Sequence, residues 1–87
     1  MEYQFLLDSF ITSILRVNEI EFITGDNRGK LYHWKINIDL VMKVKLKLIK
    51  TINSNKNSIT AILYDERLNL IISSDNNSVI IRSFYDF

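Results

Sequence analysis

Short apolar blocks, interrupted by polar clusters, run along the whole chain. ITSILR, EFITGD, KLYHWK, VKLKLIKTI, SITAILY, NLIISS and VIIRSF are each rich in Ile, Val, Leu, Thr or aromatic residues, and Asn, Asp, Gly and Ser separate them. Blocks of this kind predict strands, and a spacing of roughly eight to twelve residues between strand starts predicts an all-β antiparallel meander. Apolar pairs at Ile62-Leu63, Ile71-Ile72 and Ile80-Ile81 put apolar side chains on both faces of a strand, so both faces are expected to be at least partly covered. The block after Trp34 differs. There Met42, Val44, Leu46 and Leu48 alternate with Lys43, Lys45 and Lys47, which predicts an outer or edge strand with one wet face. Leu48-Ile49 breaks the alternation and brings Lys50 to the apolar side, so a bulge or the end of pairing is expected at that point.

The blocks also repeat. Ile11-Thr12-Ser13-Ile14-Leu15 returns forty-eight positions later as Ile59-Thr60-Ala61-Ile62-Leu63, identical at four of five places. Glu21 to Asn27 is matched by Leu70 to Asn76, both ending in Asp-Asn, and each is followed by a further apolar segment, Lys30 to Trp34 and Val79 to Ser83. The unit reads as three inner strands, a lysine-bearing outer strand and the polar link Asn53-Ser54-Asn55-Lys56-Asn57. Four strands in about 48 residues is near the ~40–50 residue period of propeller blades. Repeat 1 then spans about 10–52 and repeat 2 about 58–87, with a leading strand expected at about 3–7, all in one partial domain of 1–87.

At this point the chain resembles the WD-repeat β-propeller family. The stretch that carries the resemblance runs from Thr24-Gly25-Asp26 through Gly29 to Trp34, which looks like the second strand, turn and third strand of a WD blade. Ser73 and Asp75 are the matching signature positions of the second repeat. The wording of ITGDNRGKLYHW and ISSDNNSVIIRSFYDF is most similar to the propeller that follows the BEACH domain in neurobeachin-like trafficking scaffolds. That resemblance implies two degenerate blades acting in protein contacts at the cytosolic face of membranes, in vesicle trafficking or autophagy. It also implies a structural network of a turn aspartate, a histidine before the first strand, a Ser/Thr and the tryptophan. Here Thr24 and Trp34 match it, Arg28 and Asn77 stand at the turn-aspartate positions, Ser83 stands for the second tryptophan, and the 53–57 link has no histidine. Both blades are therefore expected to carry an incomplete network.

Composition narrows the function classes. The 87 residues allow one small core, since chains of this size bury only about 60% of their unfolded surface. A 47% hydrophobic and 24% charged composition is that of a folded chain rather than a disordered one. Eleven basic against ten acidic residues give a net charge of +1, which argues against an overall field for nucleic acid or an anionic membrane, so membrane contact is expected only indirectly. No cysteine is present, which excludes disulfides, thiolate metal sites and cysteine nucleophiles and makes a cytoplasmic setting the default expectation. The start, MEYQFLLDSFITSIL, carries Glu2 and Asp8, lacks a basic n-region and has no bilayer-spanning run, so neither signal peptide nor anchor is read from it.

Candidate chemistry concentrates in residues 25–34, GDNRGKLYHW, which hold both glycines, the single histidine and the single tryptophan. The stretch has neither phosphate-loop spacing, and Arg28 places a cation among the donors that a calcium loop would need. His33 has no second histidine to share a metal, and no GxSxG elbow accompanies the serines. Gly25 and Gly29 bracketing a hairpin turn, with Asp26 and Asn27 as side-chain turn formers, account for every residue. No enzyme, cofactor or small-molecule substrate is expected. The alternative is a small β domain that grips single-stranded nucleic acid through Lys43, Lys45 and Lys47 beside Tyr32 and Trp34.

Two blades leave faces open, because each blade is covered by its neighbours. Other proteins, the remaining blades of a longer propeller, or further copies of the chain are the expected partners. In the last case a strand at Tyr3 to Leu7 of one copy would complete the final blade of another.

Overall fold

The structure is a computed structural model that describes residues 2–87. Among the described residues seven strands follow in chain order: β1 (Ile11–Arg16), β2 (Glu21–Asp26), β3 (Lys30–Ile38), β4 (Val44–Asn53), β5 (Ala61–Asp65), β6 (Leu70–Ser74) and β7 (Val79–Ser83). They form two antiparallel sheets, one ordered β1-β2-β3-β4 and the other β5-β6-β7, with every strand beside its sequence neighbour. The expected all-β meander is present, and the polar link, whose Asn53 is the last residue of β4, separates the two units.

Local chemistry sets the turns. Asn18 Oδ1 accepts the amides of Ile20 and Glu21 between β1 and β2, and Asp39 Oδ1 accepts those of Val41 and Lys43 between β3 and β4. Met42 and Asn69 occupy the left-handed region at φ 61° and 53°, tightening the turns before β4 and β6. The expected bulge in the lysine strand is present: Trp34 pairs with Leu48 and His33 with Lys50, which leaves Ile49 as the extra residue. Pairing resumes beyond it, so β4 runs on to Asn53.

Two strand boundaries differ from expectation. β4 begins at Val44, leaving Met42 and Lys43 in the turn. The leading strand expected at 3–7 is not formed. That segment crosses the face of the first sheet instead of lying along an edge, with the Phe5 ring edge-on to Trp34 at 5.0 Å, so it has no backbone neighbour to pair with.

Strand alternation divides the first sheet into two faces. One carries Leu15, Ile23, Leu31 and Ile52, and it packs on the β5–β7 sheet to form the core with Ile59, Ile62, Ile71 and Phe87. The other carries Ile14, Phe22, Tyr32, Trp34 and Leu46. Thr12 joins the two units, donating from Oγ1 to the Ile59 carbonyl at 2.6 Å.

Candidate functional site

The turn between β2 and β3 is organised by Asp26, which is fully buried. Its Oδ1 accepts the Arg28 and Lys30 amides at 2.9 Å each, and its Oδ2 accepts the Tyr32 hydroxyl at 2.7 Å and the Ser9 hydroxyl at 2.8 Å. Burial pushes the carboxyl up, but the hydrogen bonds from Tyr32, Lys30, Ser9 and Arg28 outweigh it and hold the group below its ordinary value. Burial also pushes the Tyr32 phenol up, and the neighbouring carboxylate adds to this. Beside this cluster Trp34 Nε1 donates to Thr24 Oγ1 at 2.9 Å. Every one of these polar groups is spent on another part of the turn.

The second turn repeats the device. Asp75 Oδ1 accepts the Asn77 and Ser78 amides at 2.8 and 2.7 Å, and its Oδ2 accepts the Asn57 amide at 3.2 Å. The Asn77 amide, with further donors from Ser78 and Asn57, lowers the carboxyl to about 2 despite a small opposing desolvation. Ser73, at the place of Thr24, donates to Asn55 Oδ1 at 2.9 Å and lies 3.0 Å from Ser54 Oγ. Arg82 Nη1 donates in turn to Ser54 Oγ at 2.8 Å.

Both networks thus differ from the sequence alignment. The acids that act in the turns are Asp26 and Asp75, not the Arg28 and Asn77 positions. Pairing shows that Arg82 holds the place of Trp34, since Trp34 lies opposite Phe22 and Arg82 opposite Ile71, each two residues before the Thr24 or Ser73 hydroxyl. Ser83 is one position past it. In the link Asn55 accepts from Ser73, and Ser9 through its hydroxyl and Asn57, forty-eight positions later, through its backbone amide donate to the two aspartates. The repeat offset was the signal that could have found Ser9 and Asn57.

The two glycines have different causes. Gly29 adopts φ +86°, and a Cβ there would stand 2.0 Å from the Asn55 carbonyl oxygen, so the turn requires it. Gly25 lies inside β2 without positive φ, and its reason is close approach: a Cβ would stand 2.6 Å from Ile59 Cγ2. The bracketing role expected of Gly25 is therefore corrected to a packing role where the two sheets meet.

His33 lies 2.9 Å from Glu21 Oε1 through Nε2 and packs edge-on to Phe84 and Phe87. Among the described residues no group of three or more His, Asp or Glu side chains is placed to hold a metal ion. The basic-aromatic strip is not formed. Lys45 and Lys47 pair opposite Asn37 and Lys35, whereas Trp34 pairs opposite Leu48, so strand alternation sends the lysines and Tyr32 with Trp34 to opposite faces. Lys43 lies outside the strand, and both aromatics are buried.

What remains open is apolar sheet surface. The outward face of β5–β7 carries Leu63, Ile72, Val79 and Ile81, of which Leu63, Val79 and Ile81 are exposed. On the first sheet, the face opposite the core leaves Ile14 and Ile38 exposed beside Phe22 and Trp34. Among the described residues β7 has no strand on its far side, so its backbone edge is open too. Apolar strand faces of this extent are a feature of surfaces that meet other protein. Comparison with protein-family models, curated proteins and solved structures gives no match.

Proposed function

We propose that the chain is a non-enzymatic scaffold for protein contacts, built from two degenerate WD-type propeller blades. The carrying observation is the reversed burial of repeat mates. Leu31 and Val79 hold equivalent places, opposite Gly25 and Ser74, yet Leu31 is 0% exposed and Val79 65%. The sheet face that is core in the first unit is open in the second, as expected of a stack that continues beyond the chain. A four-stranded meander followed by a three-stranded one, with the first three strands of each paired in the same order, supports the blade reading. The BEACH-like wording of the two turns supports a trafficking scaffold at the cytosolic surface of membranes. The polar groups of the turns are occupied in structural bonds, which leaves the open faces as the functional surface.

The test offers an extract of the source cells to the immobilised chain, to a Leu63→Lys/Ile81→Lys variant and to a Lys45→Ala/Lys47→Ala variant. Proteins retained by the parent and the lysine variant, but lost with the face variant, are the expected result. Retention unaffected by the face variant, or retention of nucleic acid that depends on the lysines, overturns the reading.

A further inference from the structure

The two open faces of the chain are the two halves of the contact already made inside it. Within the chain, the face of the first sheet with Leu15, Ile23 and Leu31 packs on the face of the second with Ile62 and Ile71. The repeat equivalents of the first set are Leu63, Ile72 and Val79, and those of the second include Ile14. Among the described residues no second sheet covers these positions, and Leu63, Val79 and Ile14 are exposed. One end of the molecule therefore presents one half of a contact, and the other end presents the complementary half.

Residues 5–9 add a second, independent observation. Ser9 donates from its hydroxyl to Asp26 Oδ2, and Asn57, forty-eight positions later, donates from its backbone amide to Asp75 Oδ2. Phe5 lies against Trp34 of the first sheet, as Ser54 lies against Arg82, which holds the place of Trp34 in the second. The N-terminal segment thus takes the place, over its own sheet, that the end of β4 and the following link take over β5–β7. At that place β4 has β3 as its strand neighbour, whereas the N-terminal segment has none. Among the described residues the strand that matches β3 but has only one strand neighbour is β7.

From this geometry we infer that the occupant of both faces is a second copy of this chain, docked head to tail. The β5–β7 outward face of one copy packs on the Ile14 face of the next, and the free edge of β7 pairs with the N-terminal segment of that same neighbour. The inference rests on the blade reading and gives it a partner. The contact is heterologous, so each copy uses both surfaces and the assembly either closes or grows. Three or four copies give a ring of roughly six to eight blades, within the usual range for propellers.

The test is light scattering of the full chain with two face variants, Ile14→Lys and Ile81→Glu, both at positions exposed in the single copy. The parent is expected at about three to four times the monomer mass, the usual closed-ring range. Each variant alone loses one half of the contact and falls to monomer. An equimolar mixture of the two variants restores one intact contact and yields a heterodimer, which a two-fold symmetric contact cannot do. Fluorescence of the buried Trp34 shows that each variant is folded. A parent that is a folded monomer at every concentration overturns the inference, as does a mixture that stays monomeric. Neither result touches the scaffold reading, which stands or falls on the proteins retained in the extract experiment.

Discussion

Ile14 and Ile62 occupy the same place in the two sheets, each opposite a hydroxyl residue of the second strand, Thr24 and Ser73, yet Ile14 is 70% exposed and Ile62 7%. The same residue type in the same local setting is core in one unit and surface in the other, because only one of them has a sheet packed over it. Truncation should divide accordingly. At concentrations where the chain is monomeric, Ile62→Ala is expected to cost about 2–5 kcal/mol, and Ile14→Ala to stay within about 0.5 kcal/mol. Urea unfolding of the two variants measures the contrast; similar losses would mean that the Ile14 face is covered within the single copy.

The glycines should also separate. Alanine at Gly29 must hold φ +86°, which costs about 1–2 kcal/mol from the backbone alone. The added Cβ meets the Asn55 carbonyl besides, so Gly29→Ala is expected to lower the melting temperature more than Gly25→Ala. For Gly25→Ala the clash is with Cγ2 and Cβ of buried Ile59 and with Ser13 Oγ rather than with backbone, and a loss of about 1–3 kcal/mol is expected. Thermal melts of the two single variants decide the order.

Trp34 reports on its own hydrogen bond. Thr24→Val keeps the shape of the side chain but removes the acceptor of the buried indole N–H, and a loss of about 1–3 kcal/mol is expected. Because the ring is held by Phe5, Phe22 and Tyr32 as well, its emission should stay that of a buried indole. A red-shifted spectrum would mean that the hydrogen bond, not the aromatic packing, keeps Trp34 in place.

Acid should unfold the protein through its two turn aspartates. Both have folded-state values below 3.8, Asp75 at about 2, so the unfolded chain binds their protons first as the pH drops. The Asp75 contribution is present above pH 3.8 and is lost as the pH falls from there toward about 2, and that of Asp26 is lost in the same direction. Denaturant midpoints across that window should fall steadily, and the fall should be shallower in Asp75→Asn. An unchanged slope in that variant would remove Asp75 from the account.

Lys45 and Lys47 should matter little. They lie on the face opposite Trp34, away from any aromatic platform formed by Tyr32 and Trp34, so replacing both by Ala is expected to leave oligonucleotide binding absent at low salt. Affinity at low salt that falls steeply with added salt and vanishes in the double variant would restore a nucleic-acid role.

Much of this architecture is written locally. The strand blocks, the turn residues, the bulge at Ile49 and the forty-eight-residue repeat all follow from side-chain periodicity and turn preference, which act over a few neighbouring residues. What local pattern cannot carry is which face of a strand is covered, and by what. The sequence leaves Leu31 and Val79, or Ile62 and Ile14, as equals, and only the packing of one sheet on the other made one member of each pair core. The same holds for Gly25, whose need for no side chain comes from Ile59 across the sheet contact, and for Asn55, which serves Ser73 only because the link folds back over β6. It also decided the fate of residues 3–7, apolar enough for a strand but laid across a sheet face where no backbone edge was within reach. Burial and close approach are properties of contacts between distant segments, so they come into being only when the two sheets meet.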